Sequence, residues 1–180
     1  MSADISDRTG TSTGADIPIP ERLVVSRSSA EQTASLRRAV LRPHLTVAQM
    51  AVAGDQNPET TYLAVRDPAG DGVVLGCVRL EPVRCPWPEA LGVPSQASWQ
   101  LRAMATDPGA RGTGLGRLLV KAAVDHVAER SGDLIWCNAR AGAERFYLRL
   151  GFRTVTDPFD VQDVPEAHVG MVFELSGRES

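Results

Sequence analysis

Nowhere in these 180 residues is there an apolar run of the length that a membrane-spanning helix requires. The first residues, MSADISDRTGTSTGADIPIP, lack a basic segment followed by an apolar one, the pattern of a secretory signal. The expectation is a cytoplasmic protein without membrane contact. An excess of basic charge is missing too. Nineteen Lys and Arg stand against 22 Asp and Glu, a net charge of -3, whereas a nucleic-acid module would carry a basic face. Positive charge is only local, at Leu36-Arg37-Arg38 and around Arg111. Cysteine is scarce. Cys77, Cys85 and Cys137 form no CxxC pair, and an odd number at scattered spacing reads as free thiols in a reducing compartment. The three histidines, His44, His126 and His168, sit at no ligand spacing, so no metal is expected. No internal repeat is visible.

What is present suits one soluble globular unit. The chain is 43% hydrophobic and 23% charged, and its length supports one core. Residues 1–20 are rich in Ser, Thr, Asp, Gly and Pro and read as a disordered tail. A single domain is expected over 21–176. Arg22-Leu23-Val24-Val25 reads as a first strand. Ser28-Ser29 before Glu31-Gln32 gives capping-box spacing twice, ahead of a helix with Leu36, Ala39 and Val40 inward and Pro43 as its limit. Two apolar runs, Tyr62–Val65 and Val73–Val78, flank Asp67-Pro68-Ala69-Gly70-Asp71-Gly72 and predict an antiparallel hairpin. Pro82 to Pro94 is a proline-rich connection.

The second half alternates strand and helix. Trp99–Thr106 has the period of a strand, ended by Asp107-Pro108-Gly109. From Gly114, apolar Leu115, Leu118, Leu119, Ala122, Ala123 and Val127 recur at helical spacing. Leu134-Ile135-Trp136-Cys137 is a fully apolar strand for the interior of a covered sheet. Ala143, Phe146, Tyr147 and Leu150 share a helix face, with Gly151 placed for a left-handed cap. Val169–Leu175 is a last strand. Together these imply an α/β fold: a mixed, mostly antiparallel sheet with helices on both faces.

Between strand and helix lies Arg111-Gly112-Thr113-Gly114-Leu115-Gly116. A triphosphate loop requires GxxxxGK followed by Ser or Thr, but Leu115-Gly116 stands where Lys and the hydroxyl belong. A dinucleotide fingerprint requires GxGxxG and an acidic residue ending the next strand. Here the spacing is GxGxG and Asp133 precedes that strand. A flexible turn that caps a helix remains open. So does a phosphate cradle: glycines let successive N–H groups converge, the helix adds unpaired amides and its positive end, and Arg111 adds a charge at the lip. Such a cradle suits a pyrophosphate without a metal.

Arg111-x-x-Gly114-x-Gly116 after a strand and Asp-Pro resembles the acetyl-coenzyme A signature of the Gcn5-related N-acetyltransferase superfamily. A second block, Asn138-Ala139 followed by Phe146-Tyr147-x-x-x-Gly151-Phe152, resembles that family's Asn-Ala and FYxxxGF pattern in the correct order. The likeness covers Trp99 to Phe152 strongly and extends from Arg22. The runs LRRAVLRP, LRAMATDP and LIWCNAR resemble a bacterial branch of that superfamily.

The resemblance implies transfer of an acetyl group from acetyl-CoA to a primary amine of a small molecule, peptide or protein, directly in a ternary complex. A homodimer is left open. It implies strands splayed apart at the coenzyme site. The amides from Arg111 through Gly112, Thr113, Gly114, Leu115 and Gly116 to Arg117 would hold the pyrophosphate. Met104-Ala105-Thr106 would pair with the pantetheine arm, with an N–H near Met104 facing the acyl oxygen. Tyr147 would be the general acid at the sulfur; a plain core aromatic beside Phe146 is the alternative. Asn138 would bond pantetheine amides or cap a helix starting at Ala139. For the base, Trp99–Thr106 offers no carboxylate, which leaves Glu81 and His168, each also readable as a structural side chain. Cys137 suggests an acyl-enzyme or, in an apolar strand, a buried inert thiol. The acceptor would meet the first helix, the Pro82–Pro94 loop with Trp87, and Asp157–His168. There Phe159 gives apolar area, and Asp160, Asp163 and Glu166 give negative charge suited to a cationic amine. Two other classes stay open: a non-catalytic acyl-CoA sensor of the same fold, and a nucleotide-binding protein.

Overall fold

The computed structural model describes residues 23–68, 72–162 and 164–175. The expected tail over 1–20, the expected domain limits at 21 and 176, and Asp163 lie outside them. Eight strands form one sheet: β1 (Val25–Ser28), β2 (Thr61–Arg66), β3 (Val74–Pro82), β4 (Ser98–Thr106), β5 (Leu134–Arg140), β6 (Arg153–Thr154), β7 (Phe159–Val161) and β8 (Val164–Glu174). Among the described residues three α-helices accompany them: α1 (Ala30–Leu41), α2 (Leu115–Ala128) and α3 (Glu144–Arg149). The strand order is β1-β2-β3-β4-β5-β8-β6, with β7 also paired to β8. Only β4 and β5 run parallel; the other pairs are antiparallel. The mixed, mostly antiparallel sheet is as the sequence implies.

Local signals explain most element limits. Ser29 Oγ accepts from the Gln32 N–H at 3.2 Å while Gln32 Oε1 accepts from the Ser29 N–H at 3.1 Å. This is a single capping box, not two, because Ser28 closes β1. The first strand therefore sits further along than Arg22–Val25: pairing starts at Val25↔Val65, and Val24 is exposed. α3 ends in a Schellman turn. Phe152 N–H reaches Tyr147 C=O, Gly151 N–H reaches Leu148 C=O, and Gly151 has φ 93°.

Alternation along the strands divides the core between two faces. Leu63, Val65, Val78 and Leu80 point to α2, where Leu115, Leu119, Ala123 and Val127 cover them. Tyr147 and Phe152 join that cluster, so α3 lies on the same face. Ala64, Cys77 and Ala105 point to the other face and meet Leu36 of α1. Helices thus cover both faces of the sheet.

Further strand limits differ from expectation. β5 continues through Arg140 rather than stopping at Cys137, because it keeps its partner β8 as far as Arg140↔His168. β8 begins at Val164 rather than Val169, and Phe159–Val161 folds back on it as β7. The sequence marks no strand in 157–168, yet Phe159 and Val161 pair with the His168 and Val164 positions. On the far face, Trp87 packs edge-on against Trp136 at 5.5 Å and belongs to a cluster with Cys85 and Val172.

Candidate active site

The site is made by a fork between β4 and β5. Their parallel pairing covers only Ser98↔Leu134 to Gln100↔Trp136. Asp133 holds the closed end: its N–H donates to Ala97 C=O at 3.1 Å, and its carboxylate accepts from Ser95 Oγ and from the Gln96 and Ala97 N–H groups. Burial alone would raise the Asp133 pKa. These hydrogen bonds outweigh it and leave the group below the ordinary carboxylate value. Beyond Gln100 the strands part, as β5 follows β8. From Leu101 to Thr106 the β5-facing edge of β4 carries no strand.

A bulge sharpens the fork. Against β3 the register steps from Arg79↔Arg102 to Cys77↔Ala105, so β4 carries one extra residue. Ala103 takes that step at φ 48°, a left-handed conformation that non-glycine residues rarely hold. The cleft that opens has a volume of about 1290 Å³. That is larger than an ordinary small-ligand pocket and leaves room for two reactants.

The glycine loop forms one wall. Pro108–Ala110 makes a 3₁₀ turn, fixed by the Asp107 carboxylate accepting from Gly109 N–H at 2.8 Å. Gly112 and Gly114 then take φ 78° and 86°, and α2 starts with Leu118 N–H on Gly114 C=O. As a glycine, Gly114 has no side chain to cap the helix, and Leu115 and Gly116 of its first turn line the cleft. Gly116 is closely packed. A Cβ there would lie 3.0 Å from the Phe146 ring and 3.2 Å from Met104 Cε. Arg111 and Arg117 line the opening, whereas the Thr113 hydroxyl turns inward to Ala110 C=O at 2.7 Å. The Leu115 side chain is buried in the core, which leaves only its backbone for the cleft.

Tyr147 reaches the same cleft from α3. Its hydroxyl donates to Met104 Sδ at 3.4 Å, and its ring packs edge-on against Phe146 and Phe152. Burial, with Cys137 close by, holds its pKa well above the ordinary value, so the phenol keeps its proton. Asn138 lies exposed at the cleft inside β5. The strand carries on to Arg140, so Asn138 is not the cap of a helix at Ala139. Cys137 is buried and its thiol is pushed up to about 12 by desolvation.

The α1 side of the cleft departs from the sequence-based picture. Glu81 is buried, with Arg79 on both carboxylate oxygens at 3.3 and 2.8 Å and Arg102 at 3.2 Å. Arg79 also faces Asp55, which accepts from the Tyr62 hydroxyl at 2.6 Å and from the Val52 N–H at 3.0 Å. The Glu81 lone pairs are thus occupied by guanidinium donors. His168 does line the cleft. It is 7% exposed, and its Nδ1 is sealed from solvent with no hydrogen-bond partner among the described residues. Burial and the nearby Arg140 and Arg42 charges lower its pKa below 6.5, against the opposite pull of Glu166. The ring is therefore neutral at neutral pH.

The expected acceptor surface needs correction. Trp87 is a core group on the closed side of the fork, and the Pro82–Pro94 loop does not reach the cleft. Phe159 instead backs the His168 ring at 6.4 Å. Among the described residues Glu166 is the one acidic lining group, and its Oε1 is held by Gly142 N–H at 2.9 Å. The α1 side is rich in arginine: Arg37, Arg42, Arg79, Arg102 and Arg140. Only Arg37 lay in a basic run conspicuous in the sequence. Arg42 follows α1, and Arg79, Arg102 and Arg140 are brought in by strands far apart in the chain.

A half-open parallel pair, a bulged β4 and a glycine loop at a helix start define an acyl-CoA N-acyltransferase fold. The model of the Acetyltransferase (GNAT) family matches residues 30–152, and the chain belongs to that family. It is an N-acetyltransferase by class. It is 30% identical over 142 residues to "Uncharacterized N-acetyltransferase YitI" of Bacillus subtilis (strain 168), covering 79% of this chain and 90% of that one. Aminoglycoside 6'-N-acetyltransferase complexed with coenzyme A superposes with a TM-score of 0.65 at 15% identity, over 87% of this chain and 99% of that one. An acyl-CoA N-acyltransferase from Pseudomonas aeruginosa gives 0.58 at 21%, over 83% and 98%.

Proposed function

We propose that the protein transfers the acetyl group of acetyl-CoA to an amine directly, with both reactants in the cleft at once. The observation that carries this is the fork. A free edge on β4 from Leu101 to Thr106 runs toward the amides of Gly112, Gly114 and Gly116, and the Tyr147 hydroxyl sits at its bulge. The structural relative that holds coenzyme A supports the donor.

Acetyl-CoA supplies an activated acyl thioester. The loop from Arg111 to Arg117 binds its pyrophosphate, and Met104, Ala105, Thr106 and Asn138 pair with its pantetheine amides. A backbone N–H at the Met104 bulge stabilises charge that develops on the acyl oxygen, worth about 3–4 kcal/mol in comparable sites. Tyr147 acts as general acid: as the carbon–sulfur bond breaks, its phenolic proton goes to the departing sulfur. His168 takes the proton of the attacking amine as the carbon–nitrogen bond forms. We assign the base to His168 rather than Glu81, because a neutral imidazole faces the cleft while Glu81 is held by two arginines.

Direct transfer fixes the kinetic pattern. Varying acetyl-CoA at several amine concentrations should give intersecting double-reciprocal lines. Parallel lines, with an acetylated enzyme detected by mass spectrometry, would instead indicate a covalent route, for which the buried Cys137 thiol is poorly suited. The base assignment fixes a pH dependence. A lowered His168 pKa means the active, neutral form persists on acidification to below pH 6.5. The acidic limb of kcat/KM should fall below that value and vanish in His168→Gln. A limb that survives the substitution assigns the base elsewhere.

A further inference from the structure

We infer that the amine acceptor carries a carboxylate, held by Arg42 and Arg140 beside His168, so that the acceptor is an amino acid or a short peptide with a free C-terminus. The inference rests on the transferase reading and adds the acceptor class. Arg140 on β5 and His168 on β8 are directly opposite each other, so their side chains rise from the same face of the sheet. Arg42 follows α1 immediately, and the Arg140 Nη2 donates to Leu41 C=O at 3.4 Å, which ties the two arginines to one place. Both act electrostatically on the His168 ring. All three line the cleft.

The charge there is unbalanced. Arg37 is buried and spent on Thr33 Oγ1 and the carbonyls of Ala30 and Met50. Arg79 and Arg102 share Glu81. Among the described residues neither Arg42 nor Arg140 has a carboxylate within ion-pair distance. The nearby Glu166 is engaged by Gly142 N–H. A purely cationic amine would meet two guanidiniums against the single Glu166 carboxylate. A zwitterion brings the missing anion, and a planar carboxylate matches the guanidinium fork. Binding there would leave its amine close to His168, the group assigned to receive the proton.

The test compares kcat/KM for free amino acids with that for their carboxamides, and for phosphoethanolamine with ethanolamine, using wild type, Arg42→Gln and Arg140→Gln. Binding of N-acetyl amino acids and their carboxamides to the CoA-loaded protein is measured by calorimetry in parallel. The free carboxylate should be preferred by about tenfold to a hundredfold, chiefly through KM, the range expected for hydrogen bonds to a charged group. Each substitution should collapse that ratio. Arg42→Gln gives the cleaner reading, because Arg140 also holds Leu41. Equal rates for acid and carboxamide, or a ratio unchanged in Arg42→Gln, overturn the acceptor class and leave the transferase reading standing. Preference for phosphoethanolamine over every amino acid also overturns it. Selective binding of the N-acetyl acids without turnover of any amine upholds the anion site and defeats the transferase reading. Neither turnover nor binding of any probe defeats both.

Discussion

Tyr147→Phe lowers kcat by about a hundredfold to ten-thousandfold, the usual contribution of a positioned general acid, while acetyl-CoA binding is kept. The structure separates the two effects. Phenylalanine retains the ring contacts to Phe146 at 5.1 Å and Phe152 at 5.2 Å, so the core around α3 is preserved. What is lost is one hydroxyl, which among the described residues donates to Met104 Sδ at 3.4 Å. A thioether is a weak acceptor, so stability changes little. The burial that raises the phenol pKa keeps the proton in place at every pH where the amine is reactive. Calorimetry with CoA and a pH profile of turnover check the split. Unchanged turnover across the profile would mean that Tyr147 is only a core aromatic.

Gly114→Val weakens CoA binding by about tenfold to a hundredfold, equivalent to ~1–3 kcal/mol of backbone strain. Gly114 has φ 86°, where a β-branched residue is an outlier. Relaxing that angle turns the amides of Leu115 and Gly116 away from their common direction. The apo protein should lose only a few degrees of Tm, since the core contacts of Leu115 and Leu119 lie behind the loop. The rise in Tm that CoA gives the wild type should shrink or vanish. A full CoA-induced shift in the variant would remove the loop from the binding site. Gly112 offers a comparison: φ is 78°, but a Cβ there meets no atom within 4 Å, so Gly112→Ala carries the strain without any clash.

The parts of the site that are local in the chain were legible in its sequence. The loop from Arg111 to Gly116 and the run Phe146 to Phe152 each announce a helix terminus through glycine, and their order identified the family. The mixed sheet followed from the alternation of strand and helix. What depends on distant pairing was not legible. Ala103 carries no local sign that it will sit at φ 48°; that follows from the two-against-three register of β3 and β4. Arg140 and His168 are neighbours only because β8 pairs with the whole of β5. Trp87 looked available to an acceptor, yet its ring fills the space above Gly170 and beside Trp136. Of the expected negative charge, Glu166 lines the cleft and Asp160 does not, while arginines outnumber it there. The side chains that face the cleft are set by strand alternation, which places arginines inward there.

The most direct test of acetyl transfer is thiol release from acetyl-CoA by the full chain, measured with and without each member of an amine panel, with the products identified by mass spectrometry. The result expected is amine-dependent release matched one for one by acetylated amine. Tight acetyl-CoA binding with no acceleration by any amine would contradict it and would make the protein an acyl-CoA sensor built on an acetyltransferase fold.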